Sequence, residues 1–205
     1  MLRVGIIGCG GMGRDHIKRL TEKIQGAQVV AVSDVFEEGA KEAAKIAGGA
    51  KVYTDGKDLI NDPDVDAVFI VSPGFAHTES LLQAIEAGKR VFCEKPLATT
   101  ADDCKKIVEA EVASGKHLIQ LGFMRRYDKG YVQVKEALKS GEYGEPLILH
   151  CTHRNPEVGT NYNTPMAVHD TAIHEIDTLH WLVDDEYESA QQRKEKNARQ
   201  NKKES

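Results

Sequence analysis

Short runs of β-branched and other apolar residues alternate with helical segments along the first two-thirds of the chain. Several of these runs are apolar at consecutive positions, as is expected for strands that helices cover on both faces. Such alternation is typical of parallel β-α-β units. We predict six strands, at 3–7, 28–33, 51–53, 67–71, 90–93 and 117–121. We predict five helices between them, at 12–23, 37–47, 57–61, 77–87 and 101–114.

The pattern changes after the sixth strand. Helical spacing at 131–138 is followed by a predicted strand at 147–152 and a predicted helix at 165–183. One strand and one helix do not close a layer, because each buries a single face. The predicted fold class is therefore α/β, with a Rossmann-type doubly wound parallel sheet at 1–123 and an incomplete α+β, open-sheet region at 124–190.

Charge distinguishes the end of the chain from the rest. The 205 residues carry a net charge of -5, but 191–205 holds six Lys or Arg against two Glu, which leaves -9 elsewhere. This end has no large aliphatic or aromatic side chain that could form a core, so we expect a charged, disordered tail. The acidic body and the lack of interleaved aromatic residues argue against nucleic-acid binding.

The expected location follows from apolar patterning. No apolar stretch is long enough to cross a bilayer, and the N-terminus lacks the pattern of a signal peptide. We therefore expect no membrane association and a cytoplasmic protein.

The four cysteines are far apart and form no CxxC pair, so free thiols are expected rather than disulfides. They are Cys9, Cys93, Cys104 and Cys151.

A glycine-rich turn follows the first predicted strand and opens the first predicted helix. Its sequence, GCGGMG, supplies a G-x-G-x-x-G pattern at Gly8, Gly10 and Gly13. In this context the helix N-terminus can hold a pyrophosphate. Asp34 ends the second strand, where a carboxylate can bind ribose hydroxyls and would repel a 2′-phosphate. The sequence predicts NAD rather than NADP; the alternative is a glycine-rich turn that binds nothing.

Two segments carry candidate catalytic side chains. Lys95 follows the fifth strand, at the edge where doubly wound sheets bind ligands, and can donate a hydrogen bond to a substrate oxygen. Asp170, His174 and Asp177 are spaced so that they share one stripe of the predicted helix. Histidine can take a proton from an alcohol while hydride leaves carbon. The alternatives are a solvated lysine and a helix face charged by chance.

A metal site is the other chemistry considered for this helix. His169 and His180 add two potential ligands to the stripe. The zinc-protease pattern H-E-x-x-H would need a histidine at the position of Thr178, and no cysteine is near. We therefore predict no metal.

Six motifs, taken together, resemble the Gfo/Idh/MocA family of oxidoreductases. They are GCGGMG with Asp34, SPGFAH at 72–77, EKP at 94–96, FMRRYD at 123–128, THRNP at 152–156 and DTAIHEID at 170–177. Their order and approximate spacing match the family's and span nearly all of the chain before Ala190. The resemblance implies that Lys95, Asp170 and His174 form the catalytic set. His174 would be the general base, Lys95 would bind the reacting oxygen, and Asp170 would position the pair.

The resemblance also implies ligand contacts and a reaction. Cofactor contacts are implied at Gly8, Gly10, Gly13, Asp34, Ser72, Pro73, His77 and Glu94, and polyol contacts at Arg125, Asn155 and Asp177. The implied reaction is NAD-dependent oxidation of a ring hydroxyl of myo-inositol, or of a related polyol, to the ketone. The alternatives are a non-catalytic NAD(H)-binding remnant and a sibling dehydrogenase acting on another polyol or sugar.

Family members also form homo-oligomers through a large open sheet that walls the substrate pocket. In this chain the resemblance implies that the sheet is cut after its first strand and helix. A homo-oligomer is therefore implied for the family, with its interface sheet missing here.

Overall fold

Six parallel strands form one sheet in this computed structural model, which describes residues 1–158, 160 and 162–191. The strands are β1 Leu2–Ile7, β2 Ala27–Ser33, β3 Lys51–Tyr53, β4 Ala67–Ile70, β5 Arg90–Cys93 and β6 Ile119–Leu121. Their order is β3-β2-β1-β4-β5-β6, and every neighbouring pair is parallel. This is the Rossmann order, in which the crevice between β1 and β4 is the usual ligand site. The predicted fold class is confirmed.

Helices lie between the strands as predicted, with small differences at their ends. They are α1 Gly11–Glu22, α2 Glu37–Ile46, α3 Gly56–Asn61, α4 His77–Glu86 and α5 Ala101–Ala113. Side chains cap two of them: Asp55 accepts a hydrogen bond from the Lys57 N–H, and Thr100 accepts one from the Asp103 N–H. These caps satisfy N–H groups that a helix leaves unpaired in its first turn.

Two apolar clusters cover the two faces of the sheet. One joins the sheet to α3, α4 and α5, and its fully buried members include Leu59, Leu81 and Ile107. The other joins the sheet to α1 and α2. Ile17 from α1 and Ala40 from α2 are fully buried there. Helices thus cover both faces of the sheet, which leaves its carboxyl edge as the surface available to ligands.

Helices are the regular secondary structure that is described after β6. A 3₁₀ turn at Met124–Tyr127 leads into α6, Lys129–Ser140, which is capped by the Asp128 carboxylate. The last helix has three parts: α7 Thr164–Met166, a π-helical segment Ala167–Ala172, and α8 Ile173–Val183. It confirms the helix predicted at 165–183. α8 packs against α6 and the 3₁₀ turn, so it lies beside the sheet edge.

The strand predicted at 147–152 is wrong. The segment has no secondary structure, and the side chains of Leu147 and Ile148 are 92% and 88% exposed. A strand needs a neighbour to receive its hydrogen bonds, and the described sheet ends at β6. β-propensity alone therefore does not produce a strand here.

Two further expectations concern cysteines and the tail. All four cysteines are free; Cys9 and Cys93 are buried, Cys104 is half-buried and Cys151 is exposed. The tail predicted at 191–205 lies outside the described residues, apart from Gln191. In the part of the chain that the structure describes, no helix combines the length and apolar character needed to cross a membrane.

One contribution to stability in acid comes from Asp62, whose side chain is 3% exposed. Its carboxylate accepts hydrogen bonds from the Asp64 N–H and the Tyr53 hydroxyl and pairs with Lys51, which lowers its pKa from 3.8 to about 2. In the unfolded chain the carboxyl keeps its ordinary pKa and takes up its proton first as the pH falls. The stability that this carboxylate contributes is therefore complete above about pH 4 and lost towards pH 2.

We predict that Asp62→Asn removes this part of the acid dependence. Urea unfolding at a series of pH values should show that the free energy of unfolding falls less steeply between pH 4 and pH 2 in the variant. Asp58→Asn, at an exposed carboxyl on α3, is the control and should follow the unmodified chain. Parallel curves for Asp62→Asn and the unmodified chain would contradict the prediction.

Candidate active site

Only glycine fits at one position of the turn between β1 and α1 and at one position of the first turn of α1. Gly8 has a φ of 97°, and a Cβ there would lie 2.5 Å from the backbone nitrogen of Ser72. A Cβ on Gly13 would lie 1.9 Å from the carbonyl oxygen of Gly8. A Cβ on Gly10 would meet nothing within 4 Å, so this backbone faces open space. The open backbone and the unpaired N–H groups of the first helical turn fit a pyrophosphate.

Asp34 follows β2, and its carboxylate is fixed by two backbone groups. Oδ2 accepts a hydrogen bond from the Cys9 N–H at 2.7 Å, and Oδ1 accepts one from the Phe36 N–H at 2.9 Å. Asp34 lines a cavity of about 280 Å³ together with Gly8, Ser72 and Pro73. The Ser72 hydroxyl is buried and has no hydrogen-bond partner among the described residues. A fixed carboxylate and an unpartnered hydroxyl fit the ribose of an adenosine.

His77, the first residue of α4, is a buried residue that links two loops. Its side chain is 1% exposed, with Nδ1 2.7 Å from the Pro96 carbonyl oxygen and Nε2 2.7 Å from the Ser72 carbonyl oxygen. A carbonyl only accepts, so a neutral ring donates to one of the two at a time. The His77 side chain thus joins the turn after β4 to the loop after β5, and its expected cofactor contact stays a prediction.

Lys95 lies two residues after the end of β5, where its amine meets the last helix. Nζ is 2.7 Å from Asp170 Oδ1 and 3.2 Å from the Asp170 carbonyl oxygen. Asp170 belongs to the π-helical segment, a widened turn of the kind often found at functional sites. The structure thus brings together two residues of the expected catalytic set.

His174 lies one turn beyond Asp170 and is 8% exposed. Burial lowers its pKa, and the positive charges of Lys95 and Arg125 lower it further. The ring is therefore neutral at neutral pH and can accept a proton. Lys95, His174 and Glu94 line one cavity of about 790 Å³.

The three residues expected to contact a polyol have different surroundings. Arg125 lines the larger cavity and pairs with Glu175 at 2.6 Å. Asp177 is buried and accepts two hydrogen bonds from Arg126, at 3.0 Å and 2.5 Å. Asn155 is exposed in a segment without secondary structure. The structure therefore places Arg125 at the cavity, whereas Asp177 fastens α8 to the 3₁₀ turn and Asn155 lies outside the cavity lining.

Sequence reasoning missed His16, which also lines the larger cavity. The available signal was helical spacing, because Met12 and His16 are four residues apart and both face the cavity from α1. It missed Glu175 as well. The partner of Glu175, Arg125, is distant in sequence, so no local pattern indicated this ion pair. Across the described residues, no group of three or more His, Cys, Asp or Glu side chains is arranged to hold a metal ion.

Together, a Rossmann-ordered sheet and a glycine turn that fits a pyrophosphate define a dinucleotide-binding domain, with Lys95, Asp170 and His174 at its carboxyl edge. The chain belongs to the Gfo/Idh/MocA oxidoreductase family. Residues 2–123 match the description "Oxidoreductase family, NAD-binding Rossmann fold", and 131–204 match "GFO/IDH/MocA C-terminal domain". The cofactor of the first region is therefore NAD, and the resemblance seen in the motifs is confirmed.

Several relatives are inositol dehydrogenases. The chain is 56% identical over 191 residues to inositol 2-dehydrogenase of Pseudomonas syringae pv. syringae, with 93% of this chain and 57% of the relative covered. It is 56% identical over 189 residues to inositol 2-dehydrogenase/D-chiro-inositol 3-dehydrogenase of Halalkalibacterium halodurans, with 92% and 54% covered.

A solved structure is similar as well. Myo-inositol dehydrogenase from Lactobacillus casei, in complex with NAD(H) and myo-inositol, matches with a TM-score of 0.88 and 51% identity, covering 91% of this chain and 56% of that one. The chain thus spans a little over half the length of the relatives that it matches.

We predict that Lys95→Met raises the pKa of His174 towards its ordinary value of 6.5, because a repelling positive charge beside the ring is removed. NMR titration of the His174 ring resonance measures this, with His174→Gln used to assign the signal. Lys18→Met, at an exposed lysine on α1, is the matched control and should leave the titration unchanged. An unchanged pKa in Lys95→Met would show that the lysine does not act on the ring.

Proposed function

We propose that this chain carries the NAD-binding and catalytic part of a dehydrogenase that oxidises a ring hydroxyl of myo-inositol to the ketone. The observation that carries the proposal is the meeting of Lys95, Asp170 and His174 at the carboxyl edge of the sheet. The neighbouring glycine turn fits the pyrophosphate of NAD. Relatives named as inositol 2-dehydrogenases support the substrate class.

The side chains divide the chemistry of alcohol oxidation between them. NAD, when bound, supplies the acceptor for the hydride that leaves carbon. His174 takes the hydroxyl proton, since burial and nearby positive charges keep its ring neutral. Lys95 donates a hydrogen bond to the reacting oxygen and stabilises the negative charge that develops there. Asp170 accepts a hydrogen bond from Lys95 Nζ and so holds the amine at the cavity.

Polyol recognition is assigned to the larger cavity. Its lining includes three cations, Arg19, Lys95 and Arg125, and the acceptors Glu94 and Asp128. Hydroxyl groups both donate and accept, so such a mixed lining suits a polyol. Arg125 is the substrate contact that this geometry supports, whereas contacts from Asn155 and Asp177 rest on the family resemblance.

The proposal also assigns domains, assembly and location. The NAD-binding domain comprises 1–123 and the start of the substrate and oligomerisation domain comprises 124–190, which fits the end of β6 at Leu121.

Exposed apolar side chains at 147–149 fit a homo-oligomer, because apolar surface of this kind is usually covered. A cytoplasmic location fits the free cysteines.

Cofactor choice is tested at Asp34. We predict that Asp34→Asn lowers the preference for NADH over NADPH about tenfold, because the charge that repels a 2′-phosphate is lost. NADH and NADPH titrations followed by nicotinamide fluorescence give both dissociation constants. Glu22→Gln, at an exposed carboxyl at the end of α1, is the control and should keep the preference. An unchanged preference in Asp34→Asn would contradict this assignment.

Turnover is tested by the appearance of NADH when the full chain is mixed with NAD and myo-inositol. We expect NADH formation that a Lys95→Ala, His174→Ala double variant abolishes, because the oxygen ligand and the base are both lost. Scyllo-inositol and glucose run alongside separate a sibling dehydrogenase from the proposed one. NADH binding without turnover on any of these substrates would refute the catalytic proposal in favour of a non-catalytic NAD(H)-binding protein.

A further inference from the structure

His16 and Glu94 form a side-chain pair that joins the cofactor-binding helix to the catalytic edge of the sheet. His16 Nε2 lies 2.9 Å from Glu94 Oε1, and the two side chains are 12% and 19% exposed. His16 belongs to α1, whose N-terminus follows the glycine turn. Glu94 immediately precedes Lys95. One hydrogen bond therefore connects the two elements that the proposed reaction must align.

An aromatic frame restricts the His16 ring. The ring packs edge-on against Phe69 at 5.8 Å and against Phe92 at 5.4 Å between centroids. Phe69 and Phe92 themselves pack at 4.8 Å. These residues lie on β4 and β5, so the sheet itself holds the ring. The direction of the His16 hydrogen bond is thus set by the rigid part of the fold.

The ionisation state of Glu94 determines which of the two side chains donates the hydrogen bond. Burial would raise its pKa, but hydrogen bonds from His16 and from the Lys95 backbone N–H outweigh burial and lower the pKa. An ionised carboxylate only accepts hydrogen bonds. His16 Nε2 therefore carries the hydrogen and donates, and the Glu94 carboxylate is held from two sides, by α1 and by the backbone that presents Lys95.

The pair lies within the proposed active site. His16, Glu94, Lys95 and His174 all line the cavity of about 790 Å³. Hydride transfer needs the nicotinamide and the reacting carbon next to Lys95 and His174, so the nicotinamide end of NAD would lie in this cavity. The Glu94 carboxylate would then form part of the surface that the nicotinamide end of the cofactor contacts.

We propose that His16 is a positioning residue for the cofactor: by donating from Nε2 to Glu94, it fixes the Glu94 carboxylate and the Lys95 loop in the geometry that receives the nicotinamide. This inference rests on the proposed function, because it takes NAD as the occupant of the cavity. His16 acts through Glu94 and needs no contact of its own with the substrate.

Two variants separate the hydrogen bond from the packing of the ring. His16→Phe keeps an aromatic ring against Phe69 and Phe92 but has no donor, whereas His16→Gln keeps an N–H donor and loses the ring. The full chain is titrated with NADH by fluorescence, and thermal unfolding is measured on the same samples. Lys18→Gln, at an exposed position of the same helix, is the control for a general effect on α1.

The two variants are expected to differ in affinity, whereas both should lose some stability. His16→Phe should raise the dissociation constant for NADH about tenfold and lower the unfolding temperature, since the Glu94 carboxylate loses a hydrogen bond. His16→Gln should stay within about twofold in affinity while the unfolding temperature falls, since packing is lost. In a Glu94→Gln background, His16→Phe should cost no more than about twofold, because the charged acceptor is already gone.

Two kinds of result would overturn the inference, and they are distinguishable. If the unmodified chain binds NADH and His16→Phe binds it equally well, or His16→Gln loses as much affinity as His16→Phe, the positioning role is wrong while the proposed function stands. If the unmodified chain does not bind NADH, the proposed function fails and the role of His16 fails with it. The Glu94→Gln comparison still decides the matter if His16→Gln does not fold.

Discussion

The contact between Lys95 Nζ and Asp170 Oδ1, 2.7 Å long, joins parts of the chain that are 75 residues apart, and the candidate site depends on it. The sheet places Lys95, and the last helix places Asp170 with His174 one turn further on. Because both side chains retain solvent contact, the pair orients the helix more than it stabilises the fold. The ion pairs of Arg125 with Glu175 and of Arg126 with Asp177 fasten the same helix to the 3₁₀ turn, so its position is determined at several points.

Electrostatics at this junction gives the two side chains that we propose as catalytic different roles. Lys95 is held by a carboxylate, while His174 is buried beside positive charges that lower its pKa. One group therefore remains a cationic donor and the other a neutral acceptor, which are the states that alcohol oxidation requires. Two other histidines connect parts of the fold: buried His77 joins two loops through carbonyl oxygens, and half-buried His16 joins α1 to Glu94.

Local pattern was sufficient to predict the β-α-β core. Apolar runs, helix caps and the GCGGMG turn each depend on nearby residues, and all six strands of the sheet lie where they were expected. The strand predicted at 147–152 failed because strand formation needs a neighbour, which local sequence does not reveal. The buried place of His77 and the pairing of Asp177 with Arg126 depend on tertiary packing. His16 was missed for the same reason, since its importance comes from a partner 78 residues away.

Under the proposed function, the nicotinamide end of NAD reaches the cavity that Lys95 and His174 line, and the ring resonances of His174 test this most directly. NMR spectra of the full chain are recorded during titration with NADH and, separately, with ADP-ribose, which has no nicotinamide. We predict a saturable shift of the His174 signals with NADH and a much smaller one with ADP-ribose, although both ligands bind the glycine turn. Saturation with NADH that leaves the His174 signals unmoved would contradict the claim.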